Sequence, residues 1–199
     1  MIIWINGAFG AGKTTAACAL HRRLENSFVY DPENVGFFLR KNMPEECRTP
    51  DFQDMKLWRE FNYQVLKEID AAYQGTVIVP MTLVRPAYYE EIVQRLADEG
   101  IAVLHVILYA SRNTILKRLK KRSIGMLGRE AFAVEAIEPC LAFFDRCETG
   151  SRIETDCMTV EQIVEEIAER AGLALLPEEK NRLKRGLVRL KTTVRHARL

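Results

Sequence analysis

Gly7-Ala8-Phe9-Gly10-Ala11-Gly12-Lys13-Thr14 fits the pattern G-x-x-x-x-G-K-[ST], the signature of a loop that cradles phosphate groups. Its flanks are those the mechanism needs. Met1-Ile2-Ile3-Trp4-Ile5 is a short apolar run that reads as a buried strand, and Thr14 to Leu24 reads as a helix. The glycines give the backbone unusual angles and let it approach phosphate oxygens. Successive N–H groups then form an anion nest at the positive end of the helix. Lys13 is placed to reach the β- and γ-phosphates, the Thr14 hydroxyl to bind Mg²⁺, and Thr15 follows on the first helical turn. The expected ligands are ATP (or GTP) and Mg²⁺.

At 199 residues, 48% hydrophobic and 28% charged, the chain is sized and composed for one soluble core with an appendage. No apolar run is long enough to span a bilayer, and the N-terminal apolar stretch is too short for a secretory signal. The five cysteines are scattered without a C-x-x-C pair, which points to free thiols in a reducing cytoplasm rather than to a zinc site or disulfides. Charge is uneven. Of 29 Lys/Arg, eight lie between Lys180 and Leu199, where there is no Asp or Glu; the remaining 21 are set against 27 acidic residues. A mildly acidic body carries a basic tail.

Short apolar runs at Phe28–Asp31, Thr76–Val79, Ile101–Tyr109 and Arg152–Thr155 alternate with helical patterns. Helices are expected over Glu33–Lys41, Asp51–Gln74 with Asp51 as N-cap, Pro86–Glu99, Ser111–Arg122, Ala131–Cys147 with Pro139 kinking or dividing it, and Thr159–Ala171. Ser123 to Glu130 reads as a loop. The alternation predicts an α/β fold, a three-layer α/β/α sandwich on a parallel five-stranded sheet, over residues 1–176, with a basic amphipathic helix over 177–199.

Ligands of such sheets bind beyond the carboxyl ends of the strands. Asp31 closes the second strand there, suited to accept a proton from an attacking hydroxyl or to hold a water on Mg²⁺, with Glu33 as the alternative. It is equally the kind of residue that forms a turn before Pro32. No Asp ends the third strand; Pro80-Met81-Thr82 stands there, and Thr82 is a candidate substrate contact or a turn residue. Arg118 and Arg122 lie four apart on one helix face and suit phosphate clamping or base stacking, unless they belong to a solvated basic face. Trp58 and Phe61, with Arg59 between them, form either a ligand wall or core packing. With Arg40 added, the expected substrate contacts are Asp31, Glu33, Arg40, Trp58, Arg59, Phe61 and Thr82; Lys13, Asp31 and Arg122 are the expected catalytic groups.

In the tail, Leu183, Leu187, Leu190, Val194 and Ala197 fall within an arc of about 80° on a helical wheel, flanked by arginine and lysine. This pattern suits an anionic membrane surface, which would make the protein peripheral, or packing on its own domain. Nucleic acid is not expected as a partner, because no aromatic interleaving or RNA-binding module accompanies the charge.

The combination of Met1-to-Thr14, Tyr30-Asp31-Pro32, Leu57-to-Tyr63, Val77-to-Thr82, Leu116-to-Arg122, Thr155-Asp156 and the basic amphipathic end resembles the bacterial tunicamycin-resistance protein family over nearly the whole chain. That resemblance implies an ATP-binding protein with a fold similar to nucleoside-monophosphate kinases. It also implies involvement with tunicamycin, an acylated uridine-containing antibiotic, and a tail that meets the membrane. By the same resemblance, Arg118 matches the position over the adenine, Arg122 a phosphate-contacting lid arginine, and Thr155-Asp156 the turn passing the adenine edge. Two activities stay open: an ATP-dependent phosphotransferase acting on the drug or on an ordinary metabolite, or ATP-dependent sequestration of the antibiotic at the membrane.

Overall fold

The computed structural model describes residues 1–122 and 134–177, with Lys121 and Arg122 described as backbone only. The centre of the molecule is β1 (Ile2–Gly7), buried along its whole length. It is flanked in parallel by β3 (Thr76–Pro80) and β4 (Val103–Tyr109), so that Ile3 stands opposite both Ile78 and Leu104. β2 (Ser27–Val29) and β5 (Ser151–Glu154) complete a five-stranded, all-parallel sheet in the order β2-β3-β1-β4-β5. Continuous apolar runs in β1 and β3 are what a strand covered on both faces requires.

The two-residue period of the strands sends alternate side chains to opposite layers. Ile3, Ile5, Val106 and Leu108 pack with α1 (Lys13–Arg23) and the final helix, whose Thr159 closes a capping box with Gln162. Ile2, Trp4, Val77 and Val79 pack on the other face with α2 (Glu33–Asn42), α3 (Lys56–Ala72) and the helical rod after β3. That rod is α4 (Pro86–Tyr89), a π turn (Glu90–Gln94) and α5 (Arg95–Asp98) in continuous succession. α6 (Arg112–Arg122) follows β4, α7 (Ile137–Phe144) precedes β5, and α8 (Val160–Ala171) is the last described helix. The predicted three-layer sandwich is therefore the fold observed.

β2 stops at Val29, so Asp31 follows the strand rather than closing it, and two helix starts also differ from expectation. Asp51 caps a short 3₁₀ turn (Phe52–Asp54) through the Gln53 N–H at 2.9 Å, not the long helix; extended backbone at Met55 separates the two. α7 restarts at Ile137 after a turn at Ala136, which leaves Pro139 in its first turn, where a missing N–H costs little. The predicted loop Ser123–Glu130 and the tail from 178 onward lie outside the described residues. No described helix is long and apolar enough to cross a membrane.

Candidate functional site

The connection leaving β1 runs across β3 to β2, and the one leaving β3 runs the other way, across β1 to β4; the crevice beyond the carboxyl ends of these two strands is the topological switch point where such sheets bind ligands. The glycine loop fills that crevice. Gly7, Gly10 and Gly12 take φ of 142°, 83° and 104°, and a Cβ on Gly7 would lie 2.5 Å from the Leu108 carbonyl oxygen. Only glycine can turn the chain there. Ala8 and Ala11, within the loop, are buried, and α1 begins directly after it at Lys13.

Lys13 folds back so that its ammonium donates to the Gly7 and Ala8 carbonyls at 3.0 and 3.1 Å and lies over the Phe9 ring. A cation already on the loop, a nest of N–H groups and no room for a side chain at Gly7 together fit a polyphosphate. Thr14 is half-buried and Thr15 exposed on the first turn of α1, so Thr14 is the protein group placed to join a Mg²⁺ carried in with the nucleotide.

Arg118 joins this site from α6. Its guanidinium donates to the Ala11 carbonyl at 2.8 Å and to the Thr155 carbonyl at 2.9 Å, tying the loop to the turn after β5. Burial lowers the Arg118 pKa, opposed by the nearby Asp156 carboxylate. Thr155 is fully buried and extends the ladder to Tyr109, while Asp156 accepts the Ser111 N–H at 2.9 Å. Although burial acts to raise it, the Asp156 carboxyl stays below its ordinary pKa because Ser111, Thr114 and Arg118 stabilise the anion. Arg118, Thr155 and Asp156, three residues far apart in sequence, thus meet beside the loop. Arg122 ends α6; its side chain lies outside the described residues.

Asp31 stands after β2 on the same carboxyl edge of the sheet, and its Oδ1 accepts the Glu33 N–H at 3.0 Å, which fixes the carboxylate at the start of α2. Next to it, Tyr30 donates its hydroxyl proton to Asn62 at 2.7 Å; burial, then the Asp31 charge, raises the Tyr30 pKa.

Three other expected substrate contacts, Trp58, Arg59 and Thr82, spend their polar groups on the framework. Trp58 is 0% exposed and its indole N–H donates to the Pro32 carbonyl at 3.0 Å, so it has no surface for a ligand. The Arg59 guanidinium, buried, bonds Glu91 at 2.7 Å and the Gln53 carbonyl at 2.6 Å and covers the Tyr88 ring. Thr82 is buried with its hydroxyl donated to the Gly7 carbonyl at 2.8 Å, so it supports the phosphate loop. Arg40 reaches the Pro50 carbonyl and stacks on Phe52. Phe61 differs: it is 41% exposed and adjoins the exposed Phe38, with ring centroids 6.5 Å apart.

Two residues escaped the sequence reading. Asn6, buried, accepts both the Gly7 and Leu83 N–H groups at 2.9 Å and so fixes the first residue of the loop. Its signal was a lone amide ending an apolar strand. Arg85 stands at the N-cap position of α4, beyond the carboxyl end of β3, exposed, 3.5 Å from the Asp54 carboxylate and over the Tyr88 ring. Among the described residues no cluster of His, Cys, Asp or Glu forms a metal cage.

A family profile described as an AAA domain matches residues 2–146. No curated protein sequence matches the chain. Among solved structures, the tunicamycin resistance protein of Deinococcus radiodurans is 32% identical over 89% of this chain and 99% of its own, with a TM-score of 0.74. The APS kinase of Mycobacterium tuberculosis, solved with AMPPNP and APS, shares 18% identity over 86% of this chain and 96% of its own at TM-score 0.58. Shikimate kinase of Bacteroides thetaiotaomicron shares 20% over 87% and 99% at 0.51. At that identity the two kinases speak for the fold alone. The phosphate loop and the Deinococcus likeness go further, and the chain belongs to the AAA-domain family and to the tunicamycin-resistance proteins, as a nucleotide-binding protein of kinase-like build.

Proposed function

We propose that this protein is a small-molecule kinase that phosphorylates a hydroxyl of a nucleoside-like substrate of the tunicamycin kind. The observation that carries the proposal is the placing of Asp31 and the Gly7–Thr14 loop on the same carboxyl edge of one parallel sheet. ATP·Mg²⁺, when bound, supplies the phosphoryl group and a charge-neutralising cation. The loop N–H groups hold phosphate oxygens. Lys13 leaves the Gly7 and Ala8 carbonyls to neutralise charge that develops between donor and acceptor. Thr14 ligates the cation through its hydroxyl.

Asp31, oriented by the Glu33 N–H, positions the acceptor hydroxyl and takes its proton at a carboxylate oxygen. Arg118 holds the Thr155-Asp156 turn where a base would lie, and Arg122 is assigned to the phosphates. Glu33, Arg85 and Phe61 border the acceptor side. Residues 1–176 form the kinase unit, and the basic segment 177–199 brings it to an anionic membrane surface. The tail's charge, eight Lys/Arg with no acid between Lys180 and Leu199, also favours a second reading, in which the protein sequesters its ligand at the membrane without chemistry.

Mass spectrometry of tunicamycin incubated with protein, ATP and Mg²⁺ separates the two. A gain of one phosphate, reduced about a hundredfold or more in rate by Asp31→Asn, is the expected result. Unchanged drug alongside ATP-dependent binding would replace the kinase with sequestration.

A further inference from the structure

The backbone pairing of β1 with β3 ends where the Met81 N–H meets the Ile5 carbonyl at 3.1 Å. Beyond that pair, side chains take over. Oδ1 of Asn6 accepts the Gly7 and Leu83 N–H groups, each at 2.9 Å, and Nδ2 donates to the Leu83 carbonyl at 3.0 Å. Thr82 donates its hydroxyl proton to the Gly7 carbonyl at 2.8 Å. Thr82 is itself 4% exposed and held in turn, its own carbonyl accepting the Gln53 side-chain amide at 3.1 Å.

The Gly7 carbonyl therefore has two side-chain donors, the Thr82 hydroxyl and the Lys13 ammonium, the latter at 3.0 Å. The other carbonyl that the ammonium touches, that of Ala8, also accepts the Ala11 N–H at 3.1 Å. Each of the two carbonyls thus keeps a donor when Lys13 turns to a phosphate. These remaining donors differ in origin. The Ala11 N–H is backbone, which any loop of this shape brings with it. The Thr82 hydroxyl comes from a residue 75 positions away and depends on which side chain stands there. Gly7 is buried, so a carbonyl that lost both donors would be left without water to replace them. Stranding a buried acceptor costs more than an ordinary hydrogen bond contributes.

We propose that Thr82 is a positioning residue for nucleotide binding: it keeps the Gly7 carbonyl hydrogen-bonded while the Lys13 ammonium moves to the phosphates, and so lowers the cost of releasing the lysine. The proposal rests on the reading in which Lys13 leaves the loop carbonyls for the nucleotide. Thr82 does not touch the ligand in this role; its effect passes through Lys13. It stands among residues whose polar groups serve the framework, yet it acts on the nucleotide side of the crevice.

The test is calorimetric titration of the full-length protein with Mg²⁺ and AMPPNP, a non-hydrolysable ATP analogue, across a double-mutant cycle. Thr82→Val, close in volume but without the hydroxyl, should weaken binding about tenfold. Thr82→Ala should do the same, which separates the lost donor from any packing effect of the second methyl. Thr82→Ser keeps the donor and should bind like the parent. In a Lys13→Ala background no ammonium has to be released, so adding Thr82→Val should weaken binding no further. A loss of equal size in both backgrounds would mean that Thr82 only shapes the loop, and would overturn the proposal. Parental affinity in Thr82→Val and Thr82→Ala, or a loss in Thr82→Ser that matches theirs, would overturn it as well. Failure of the underlying reading looks different: the parent would not bind AMPPNP, or Lys13→Ala would bind it as tightly as the parent, and the proposal would fall with that reading.

Discussion

The nucleotide side of the crevice and its β2–α3 flank are built on different terms. On the nucleotide side, Gly7, Gly12, Lys13 and Arg118 hold the backbone in a shape that packing alone does not need: a glycine loop at positive φ with a lysine ammonium folded onto its carbonyls. On the flank, Trp58, Arg59 and Thr82 turn inward and spend their polar groups on the protein itself. Chemically suggestive residues occur in both regions. Only in the first does their geometry leave something to be bound. Substitutions on the two sides should accordingly damage different quantities.

The largest effect belongs to the flank. Trp58→Ala should cost about 3–5 kcal/mol of stability, as expected for emptying a fully buried indole site, while the folded fraction keeps its ATP affinity. Urea unfolding alongside calorimetric ATP titration measures both. If stability held and substrate affinity fell, the flank would be a ligand wall after all. On the other side, Lys13→Ala should leave stability within roughly 0.5 kcal/mol of the parent. It should weaken ATP binding ten- to a hundredfold, by about 1.5–3 kcal/mol for lost charge-assisted contacts.

This contrast also explains what could be read from the sequence. The loop was legible because its chemistry is local: glycines at fixed spacing, then lysine and threonine, between an apolar strand and a helix. The sheet was legible because β1 and β3 are apolar throughout, which only two-sided cover explains. The roles of Trp58 and Arg59 were not, since they depend on which face of α3 meets α2 and the rod after β3. A two-residue step along α3 in either direction separates buried Arg59 from exposed Leu57 and Phe61 by rotation alone. Asn6 acts through Leu83 and His105, partners that only the fold brings near. Thr82 was noticed, but its hydroxyl bond to Gly7 spans 75 residues and has no trace in either local segment.

An intermediate effect, beneath both regions, comes from His105. Its folded pKa of about 4 lies below the ordinary value of 6.5, so between these values the unfolded chain binds more protons than the native protein. Stability therefore holds above about pH 6.5 and declines as pH falls toward 4. From pH 7 to pH 5 the loss should be about 2 kcal/mol. Urea melts at the two pH values would register it, and His105→Gln should flatten the difference. An equally steep fall in that variant would assign the pH dependence to other groups.

The smallest effect on stability should come from Phe61, and it bears most directly on where the flank stops being framework. Phe61 lies on α3 three residues from Trp58, yet it is 41% exposed beside Phe38 and Leu57, which are 55% and 52% exposed. Removing its ring takes little apolar area out of a buried setting, so Phe61→Ser should change the unfolding free energy by no more than roughly 0.5–1 kcal/mol. If this face borders the acceptor, the same substitution should raise the substrate KM several-fold with kcat nearly unchanged, the mark of an interaction made equally in ground and transition states. A stability loss approaching that of Trp58→Ala would mean that the core extends through Phe61 to the surface of α3. The acceptor side would then be confined to Asp31, Glu33 and Arg85.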